Sequence, residues 1–491
     1  MSARLSDPLS ADNFAASSYC EMCLEIDSYN LVRLLHTCVM LRYSLVMIAV
    51  ALGSESVSAN DLLQFYMLAL TRDTTLQAAR AERDAAIETR PQAMSQLLPQ
   101  VLVNASAARE RVGASTTGQL SSPPANCTLS ADGTMQRCYG DVHGYGLSLS
   151  QTLWSFEAFY RLKEANFQAA SAEATFISAQ QSLLLRVAEA YFGILAARDQ
   201  FSTNRSEREA FEVLLDQAKA REHTGVGPRS DVEQAQAFYD TTEQNVIDAQ
   251  NAIDDARLAL TEIIGAHVED TAPLRDDIPL ASPEPALVDE WVKSARQDNP
   301  VVRAAELDIE AANRDISVQR GKGLPSFSLT ASSSRLWEDP ALGGNQTLDT
   351  VGVSFTWPLF QSGSVASATR QARALYRQAL AKYEMALRDT EKQTRAAYRG
   401  VVTGIQRIAA ARHAVESGHA AVEASRRNVE FGTGTEFDLL NAQNNYSTVL
   451  RAYSQTRYDY LVSLLVLKQQ AGRLTEKDLA GIDELLLAHG S

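Results

Sequence analysis

The sequence predicts a membrane protein of the α+β class, built from a unit of strands and long helices that occurs twice. Two stretches of about 70 residues, beginning near Trp154 and Ser362, contain no proline, and two strand-like runs precede each of them. After each stretch the same residue pattern recurs at an offset of 207 positions, which is the signature of a duplicated unit. The matching pairs are Gly225/Gly432, Gly227/Gly434, Asp231/Asp438, Ala235/Ala442, Gln236/Gln443, Tyr239/Tyr446 and Gly265/Gly472.

The composition of the chain narrows the possible partners. Hydrophobic residues make up 45% of the 491 positions, charged residues 21%, and the net charge is −15. A strongly acidic chain is a poor partner for nucleic acid or for an anionic membrane surface. The charge therefore argues against nucleic acid and against an anionic membrane surface as partners.

Residues 1–59 are predicted to be an N-terminal extension followed by a signal peptide. Arg42 precedes a short apolar core, and a small-x-small exit ends at Ala59. Met40 is the expected start and Ala59 the expected cleavage site. A membrane anchor is the other interpretation, but nine apolar residues are too few to span a bilayer.

The cysteines support an exported protein. Cleavage at the predicted site would remove Cys20, Cys23 and Cys38, and leave Cys127 and Cys138. Two cysteines that close a short loop in an exported chain predict a disulfide.

The first repeat is predicted to span 60–265. It begins with a helix from Asp61 to Arg90, which should end at Pro91. A β-hairpin at about 97–153 follows, because its two runs alternate at period two. A long helix to Thr224, a turn and a helix over 231–264 complete the unit.

The second repeat is predicted to span 299–475 and to follow the same order. A helix over 299–320 leads to a β-hairpin at about 324–360. A helix over 362–430, a turn and a helix over 436–471 follow. The shorter helices should stack end to end beside each long one and form a wall about 100 Å tall.

The remaining segments are a linker and a tail. Four prolines break the helical pattern over 266–298 and a fifth, Pro300, follows directly; one short helix is expected around Trp291. Residues 476–491 are interpreted as a C-terminal tail.

The two turns predict helix starts with capping boxes. Ser230 with Glu233, and Thr435 with Asp438, have the spacing of an N-cap side chain and its reciprocal partner. Ordinary antiparallel hairpins with ordinary caps would give the same local pattern, so the turns alone do not establish a function.

Four strands of about ten residues cannot close a barrel alone, and an open sheet edge is not viable in lipid. The chain is therefore expected to oligomerise and pool its strands. Aromatic residues at the strand–helix junctions fit a membrane-interface belt, although packing at a junction would explain them equally well. They are Trp154, Phe156, Trp357 and Phe360.

The ordered set of motifs resembles the TolC family of outer membrane factors. Leu98-Pro99 and Leu324-Pro325 open the strand pairs, and a Gly-x-Ser run that closes with Leu-Trp or Leu-Phe occurs over 146–154 and 352–360. With the two Gly–turn–Asp helix pairs, the resemblance covers about residues 60–475.

The resemblance implies a homotrimer in the outer membrane, with a barrel of twelve strands, four from each chain. It also implies a tunnel of twelve helices in the periplasm, a periplasmic adaptor and an inner-membrane pump. In the family, the turns form an entrance that opens when helices untwist.

The resemblance also implies roles for turn residues. Asp231 matches the aspartate of the entrance latch and Asp438 the first pore aspartate, whereas Asn441 replaces the second. Gly434 and Val429 stand where the latch has an arginine and a tyrosine, so that latch is not assumed here. Asp438 forms a cation-binding ring in the trimer or simply caps its helix. The turn glycines Gly225, Gly227, Gly432 and Gly434 are assigned to adaptor contact.

The expected function is a passive exit duct for type I secretion, which exports a protein such as a repeat-in-toxin cytolysin. The partner pump is an ABC transporter or, for multidrug efflux as the other reading, an RND pump. A coiled-coil spacer or adhesin is a more remote possibility. No metalloprotease, nucleophile-elbow or phosphate-loop motif occurs, so no catalytic residue, cofactor or metal site is expected.

Overall fold

Long helices and one antiparallel sheet make up the part of the chain that the computed structural model describes, residues 62–115, 127–129, 135–338 and 345–487. The predicted extension and signal peptide lie outside these residues. Within them, no helix is both long and apolar enough to cross a membrane.

Helix and strand occur in the same order in both halves of the chain. The first half contains α1 (Leu62–Arg72), α2 (Thr74–Ile87), α3 (Thr89–Ser95), β1 (Gln100–Ser115), β2 (Cys127–Leu129), β3 (Met135–Ser155), α4 (Phe156–His223) and α5 (Arg229–Ile264). The second contains α6 (Val288–Asp298), α7 (Pro300–Gly321), β4 (Ser326–Glu338), β5 (Gln346–Thr356), α8 (Ser364–Glu430), α9 (Glu436–Gln470) and α10 (Glu476–Asp483).

The single helix predicted from Asp61 to Arg90 is wrong, because three helices occupy this stretch. Asp73 separates α1 from α2: its backbone is extended and its carboxylate accepts a hydrogen bond from the Leu76 amide at 2.6 Å. Pro91 does not end a helix but lies in the first turn of α3. Proline is tolerated there because the first amides of a helix have no intrahelical acceptor.

The sheet has the order β1-β3-β4-β5, and every neighbouring pair is antiparallel. These four strands contain 16, 21, 13 and 11 residues, so three of them are clearly longer than the ten residues predicted. The short strand β2, which was not predicted, pairs with β3. Trp154, predicted to begin the long helix, instead lies in β3 just after an irregularity in register.

The two faces of the sheet differ in chemistry. One row across the strands joins Val101, Leu149, Ala331 and Val351 through direct pairing. The adjacent row on the other face joins Leu102, Ser148, Ser332 and Thr350. Side chains alternate between faces along a strand, so near these rows the sheet presents one apolar and one largely polar surface. Towards the far end of the sheet, the apolar face also carries the ion pair Arg335–Asp349.

The long helices α4 and α8 contain 68 and 67 residues, each about 100 Å at 1.5 Å per residue. Ser155 caps α4 by accepting a hydrogen bond from the Ala158 amide at 3.3 Å. Helices α2, α3, α5 and α7 pack along α4, whereas α7 and α9 pack along α8. The shorter helices therefore share the length of each long one, as their lengths predict.

The main apolar core lies near the middle of the long helices, where α1, α4, α9 and α10 meet the linker. Tyr191 is fully buried in it and donates a hydrogen bond to the Ala272 carbonyl at 2.9 Å. The region interpreted as a tail contributes α10, whose Asp483 carboxylate accepts a hydrogen bond from the Leu62 amide at 2.8 Å. The interpretation of residues 476–483 as a tail is thus wrong.

Candidate functional site

The turn between α4 and α5 is built on a left-handed glycine. Gly225 has a φ of +75°, a conformation that an L side chain rarely adopts. The amides of Val226 and Gly227 both donate to the carbonyl oxygen of Arg221, at 3.0 and 3.1 Å. These bonds end α4 and reverse the chain.

The turn between α8 and α9 repeats this geometry. Gly432 has a φ of +69°, and the amides of Thr433 and Gly434 donate to the carbonyl oxygen of Asn428 at 2.8 and 3.0 Å. Each donor and acceptor lies 207 positions after its counterpart in the first turn. A Cβ atom at Gly434 would lie 2.8 Å from the Cβ atom of Asn428, so this glycine permits the close approach.

The helices after the turns begin differently. Thr435 and Asp438 form the predicted capping box: the Thr435 Oγ1 accepts from the Asp438 amide, and the Asp438 Oδ2 accepts from the Thr435 amide, both at 3.2 Å. The capping box predicted for Ser230 is wrong, because α5 begins at Arg229 with Pro228 as its N-cap. Proline offers no side-chain acceptor.

The predicted pore residues lie in the first turns of these helices. Asp438 is exposed, and its bonds to Thr435 hold the pKa of its carboxyl below the usual value of 3.8. Asp231 is half-buried, and its Oδ1 lies 3.4 Å from the Ser230 hydroxyl. Asn441 donates from its amide to the Phe437 carbonyl at 2.8 Å. Their pore roles stay predictions.

An ion pair that sequence reasoning missed joins the two turns. Arg221, in the last turn of α4, contacts the carboxylate of Glu436, the first residue of α9. The Glu436 side chain is only 7% exposed. In the described part of the chain, neither of its carboxylate oxygens has a hydrogen-bond partner, so the charge of Arg221 is what compensates it.

A second buried carboxylate lies farther from the turns, in an ion pair that joins the same two helices, α4 and α9. Glu207 is 1% exposed and pairs with Arg451 at 2.8 Å. Arg451 also donates to Asn204 at 2.9 Å. Burial raises the pKa of the Glu207 carboxyl, and the hydrogen bond and charge of Arg451 partly offset that rise.

A groove of about 750 Å³ lies between the two helical hairpins near the turns. Its lining combines aliphatic side chains with the charged side chains of Arg426 and Glu430, and Val213 and Val226 in it are strongly exposed. The lining also includes Leu214, Val429 and Leu439.

The predicted interface aromatics divide into two kinds. Trp154 packs against Phe156 and Phe327, with ring centroids 4.5 and 6.2 Å apart. Trp357 and Phe360 are more exposed, by 54% and 86%, than Trp154, which is 36% exposed. Both features considered for these aromatic residues, packing at the junction and exposure at the surface, therefore occur at the strand–helix junction.

A second aromatic group at the far end of the sheet was not predicted. Trp337 stacks on His143 and contacts Tyr145, with centroids 5.7 and 5.5 Å apart. Ten residues separate Trp337 from Phe327 on β4, which is about 25 Å across a strand tilted by roughly 40°. Two aromatic girdles at this spacing are typical of a membrane-spanning strand.

Cys127 and Cys138 are joined by a disulfide, with the sulphur atoms 2.05 Å apart. The two residues are direct partners in the pairing of β2 with β3. The disulfide therefore holds the short strand to the end of β3 beyond the second aromatic group.

Comparison with known proteins reveals relatives along most of the chain. The chain is 30% identical to the alkaline protease secretion protein AprF of Pseudomonas aeruginosa over 431 residues, 87% of either chain. It is also 30% identical to the outer membrane protein TolC of Vibrio cholerae, over 89% of this chain and 96% of that one. The crystal structure of the outer membrane protein VceC from Vibrio cholerae superposes with a TM-score of 0.70 at 20% identity, covering 84% of this chain and 96% of VceC.

The family model for outer membrane efflux proteins matches residues 65–266 and 291–473. This match confirms the resemblance to TolC and locates the protein in the bacterial outer membrane. The chain belongs to the outer membrane efflux protein family.

Proposed function

We propose that the chain is the outer membrane exit duct of a type I secretion system. Its cargo is a protein, such as a repeat-in-toxin cytolysin, and its partners are a periplasmic adaptor and an inner-membrane ABC transporter. The observation that carries the proposal is the likeness to AprF, a protein named for protease secretion, over 87% of both chains. The duct is passive, because the partner pump supplies the energy. We propose no enzymatic activity for it.

The edges of the sheet support assembly as an oligomer, and the likeness to TolC supports a trimer. Among the described strands, β1 and β5 each have a neighbour on one side only. Unpaired edges are costly in lipid, and four strands fall short of the eight that the smallest barrels use. Three chains would supply twelve strands and pair every edge.

The repeated turn geometry supports duplication of one ancestral unit and a shared entrance. Both turns are reached by helices of nearly equal length, so they lie at the same end of the molecule. The groove between the hairpins, which has both aliphatic and charged lining residues, gives an adaptor a surface to contact close to this entrance.

Multidrug efflux is the second candidate, and the description of the matching family favours it. Both functions need the same duct, so the fold does not separate them. A structural spacer or adhesin remains a distant third, and the two unlike faces of the sheet count against it.

The deciding experiment is a clean deletion, complemented with the intact chain and scored for secreted proteins and for drug susceptibility in one strain. Loss of a large supernatant protein with unchanged drug tolerance would support the exit duct of type I secretion. Raised sensitivity to unrelated drugs with intact secretion would support efflux instead. The spacer predicts neither phenotype, and it would be excluded by stepwise conductance of the purified protein in planar bilayers.

A further inference from the structure

In the half of the molecule next to the turns, four helices lie side by side in one layer. Helix α4 packs between α5 and α9, and α9 packs between α4 and α8. Among the described helices, α5 and α8 are therefore the end helices of this layer. Each of them is covered mainly from one side, so a contact on its other side has to come from outside the protomer.

The two end helices carry opposite net charge. Helix α5 contains eight acidic and two basic residues among its 36 positions, which leaves a net charge of −6. The last 36 residues of α8, 395–430, contain six arginines and three glutamates, which leaves a net charge of +3. The layer is thus acidic at one end and basic at the other. Complementary charge on two surfaces favours their association and fixes its orientation.

Two carboxylates on α5 point away from the protomer. Ile253 and Leu260 are buried, and Asp255 and Glu262 each follow one of them by two positions, a rotation of about 200° round the helix. Both acids are exposed, and within the described part of the chain neither forms an ion pair. Leu258 lies on the same outward face and is 64% exposed, so this face combines negative charge with uncovered apolar surface.

Two arginines on α8 are placed in the same way. Ala397 and Val401 are buried on the packed side of the helix. Arg399 follows Ala397 by two positions and Arg407 follows Val401 by six, rotations of about 200° and 240°. Both arginines are exposed, and among the described residues neither has a carboxylate partner.

The acids and the arginines match in height when they are counted from the turns. Asp255 and Glu262 lie 26 and 33 positions after the first residue of α5, or about 39 and 50 Å. Arg407 and Arg399 lie 23 and 31 positions before the last residue of α8, or about 35 and 47 Å. Each acid thus lies within about 5 Å of the height of one arginine.

A closed ring of protomers brings unlike end helices together. The contact in such a ring is heterologous, so the α5 side of one protomer meets the α8 side of the next. We propose that Asp255 forms an ion pair with the partner subunit's Arg407, and Glu262 with the partner subunit's Arg399. We call this contact the α5–α8 interface. It rests on the trimer put forward under the proposed function, and it names the charges by which one copy recognises the next.

The charges also oppose the wrong contacts between copies. Two acidic α5 helices repel each other, and so do two basic α8 segments. Only the head-to-tail arrangement pairs an acidic helix with a basic one at every contact of the ring. The α5–α8 interface therefore directs the chains towards a closed ring and away from a two-fold pair.

The first test is a cross-link between protomers. Cysteines introduced as E262C and R399C are bridged by a short bis-methanethiosulfonate linker in the purified intact protein. Cys127 and Cys138 are already joined in a disulfide and do not compete. We expect a covalent trimer on a denaturing gel, absent from either single-cysteine variant. Because α4 and α9 separate α5 from α8 inside a protomer, this product reports contact between chains.

Two results would contradict the α5–α8 interface. Chains that stay monomeric after treatment with the linker would show that the two positions do not meet. Cross-linking of E262C to the periplasmic adaptor in intact cells, with no link between chains, would assign the acidic face of α5 to the adaptor instead.

A charge swap provides a readout that does not depend on the linker. R399E combined with R407E should lower the amount of assembled trimer on native gels by about fivefold, because like charges then face each other. Addition of D255R and E262R should restore it. Normal assembly of the arginine variant, or failure of the swap to restore assembly, would overturn the proposed pairs.

Arg205 and Arg303 supply the matched control for the charge swap. Each is more than half exposed and pairs with a glutamate on its own helix. Arg205 lies on α4 and Arg303 on α7, and both helices have neighbours on two sides within the protomer. R205E combined with R303E makes the same change in net charge and should assemble normally.

These outcomes separate the two proposals, because cross-linking and assembly are measured without any cargo. If the intact chain restores neither secretion nor drug tolerance to the deletion strain but the covalent trimer forms, the exit-duct proposal fails and the α5–α8 interface stands. If secretion is restored and no cross-link forms between chains, the interface alone is wrong.

Discussion

At the scale of single residues, two glycines at equivalent positions of the repeat should respond differently to the same substitution. Gly265 and Gly472 both adopt positive φ, +61° and +71°. A Cβ atom at Gly265 would meet nothing closer than the Arg72 Cβ at 3.6 Å, but at Gly472 it would lie 2.3 Å from the Asp298 carbonyl oxygen. The backbone conformation is therefore common to both, and the collision is specific to the second.

We expect Gly265→Ala to lower the free energy of unfolding by about 1 kcal/mol, the cost of a left-handed alanine. Gly472→Ala should lower it by about 3 kcal/mol, because overpacking adds to the same backbone strain. Thermal unfolding of the purified variants measures the difference. Equal losses would mean that the backbone near Asp298 moves aside without cost.

Cation binding by the Asp438 carboxylate can be tested separately from its part in the capping box of α9. Its carboxylate is exposed and its pKa is lowered by Thr435, so it stays ionised from neutral pH down to below 3.8. We expect Asp438→Ala to relieve block of the channel by divalent cations, measured as conductance in planar bilayers. Wild-type block should persist as the pH falls to about 4 and fade only below it, because protonation then removes the charge.

Two control variants separate charge from helix capping. Thr435→Ala removes the cap but leaves the carboxylate of Asp438, so block by divalent cations should remain. Asp254 is exposed on α5 and distant from the turn, so Asp254→Ala should also leave the block unchanged. Block by divalent cations that survives Asp438→Ala would refute the cation-binding ring.

The lowered pKa of Asp438 also has a consequence for stability. Its ionised carboxylate should stabilise the start of α9 above pH 3.8, and this contribution is lost as the pH falls through the folded pKa.

At the scale of elements, the break between α1 and α2 depends on one buried carboxylate. Asp73 is 2% exposed, caps α2 through the Leu76 amide and pairs with Arg186 at 3.0 Å. We expect Asp73→Ala to lower the free energy of unfolding by about 3 kcal/mol, since both the cap and a buried pair are lost and the partly exposed Arg186 can hydrate. Thermal unfolding is the measurement.

Asp84 supplies the matched control for that prediction. It lies on α2, forms an ion pair with Arg83, and its side chain is 58% exposed. Asp84→Ala should therefore change the unfolding free energy by less than about 1 kcal/mol. A comparable loss in both variants would mean that burial does not determine the contribution of Asp73.

The elements also show what the sequence could and could not predict. The long helices were located within two residues, because about 70 positions without proline leave few other structures. The break at Asp73 was missed, since its cause is a side-chain cap and a partner 113 positions away. Helix α10 was missed because eight residues are too few for periodicity to identify.

The candidate site was predictable only in part, because some of its interactions join residues that are distant in the sequence. Spacing alone identified the turn glycines and the Thr435–Asp438 capping box, because these interactions are local. The Arg221–Glu436 pair depends on contact between helices 215 positions apart, and one sequence does not reveal which helices meet. Its signal, an acid or base at each end of an apolar stripe, is visible only once α4 and α9 are known neighbours.

At the scale of the whole molecule, the two faces of the sheet determine which side of the proposed barrel meets lipid. Val351 is 78% exposed in the protomer and belongs to the apolar row, whereas Thr350, its neighbour on β5, belongs to the polar row. Both lie about midway between the aromatic groups of Phe355 and Trp337. A barrel with lipid outside requires the Val351 face to point outward and the Thr350 face to line the lumen.

We therefore expect Val351→Arg and Thr350→Arg to have different effects, although the changed residues are adjacent. An arginine on the lipid face near the bilayer midplane costs about 2–4 kcal/mol, so Val351→Arg should reduce assembled trimer in the outer membrane. In the lumen the charge stays hydrated, so Thr350→Arg should assemble normally and shift conductance towards anions. Fractionation and planar-bilayer recording measure the two effects. The reverse pattern, with Thr350→Arg failing to assemble, would place the polar face against lipid and contradict the proposed barrel.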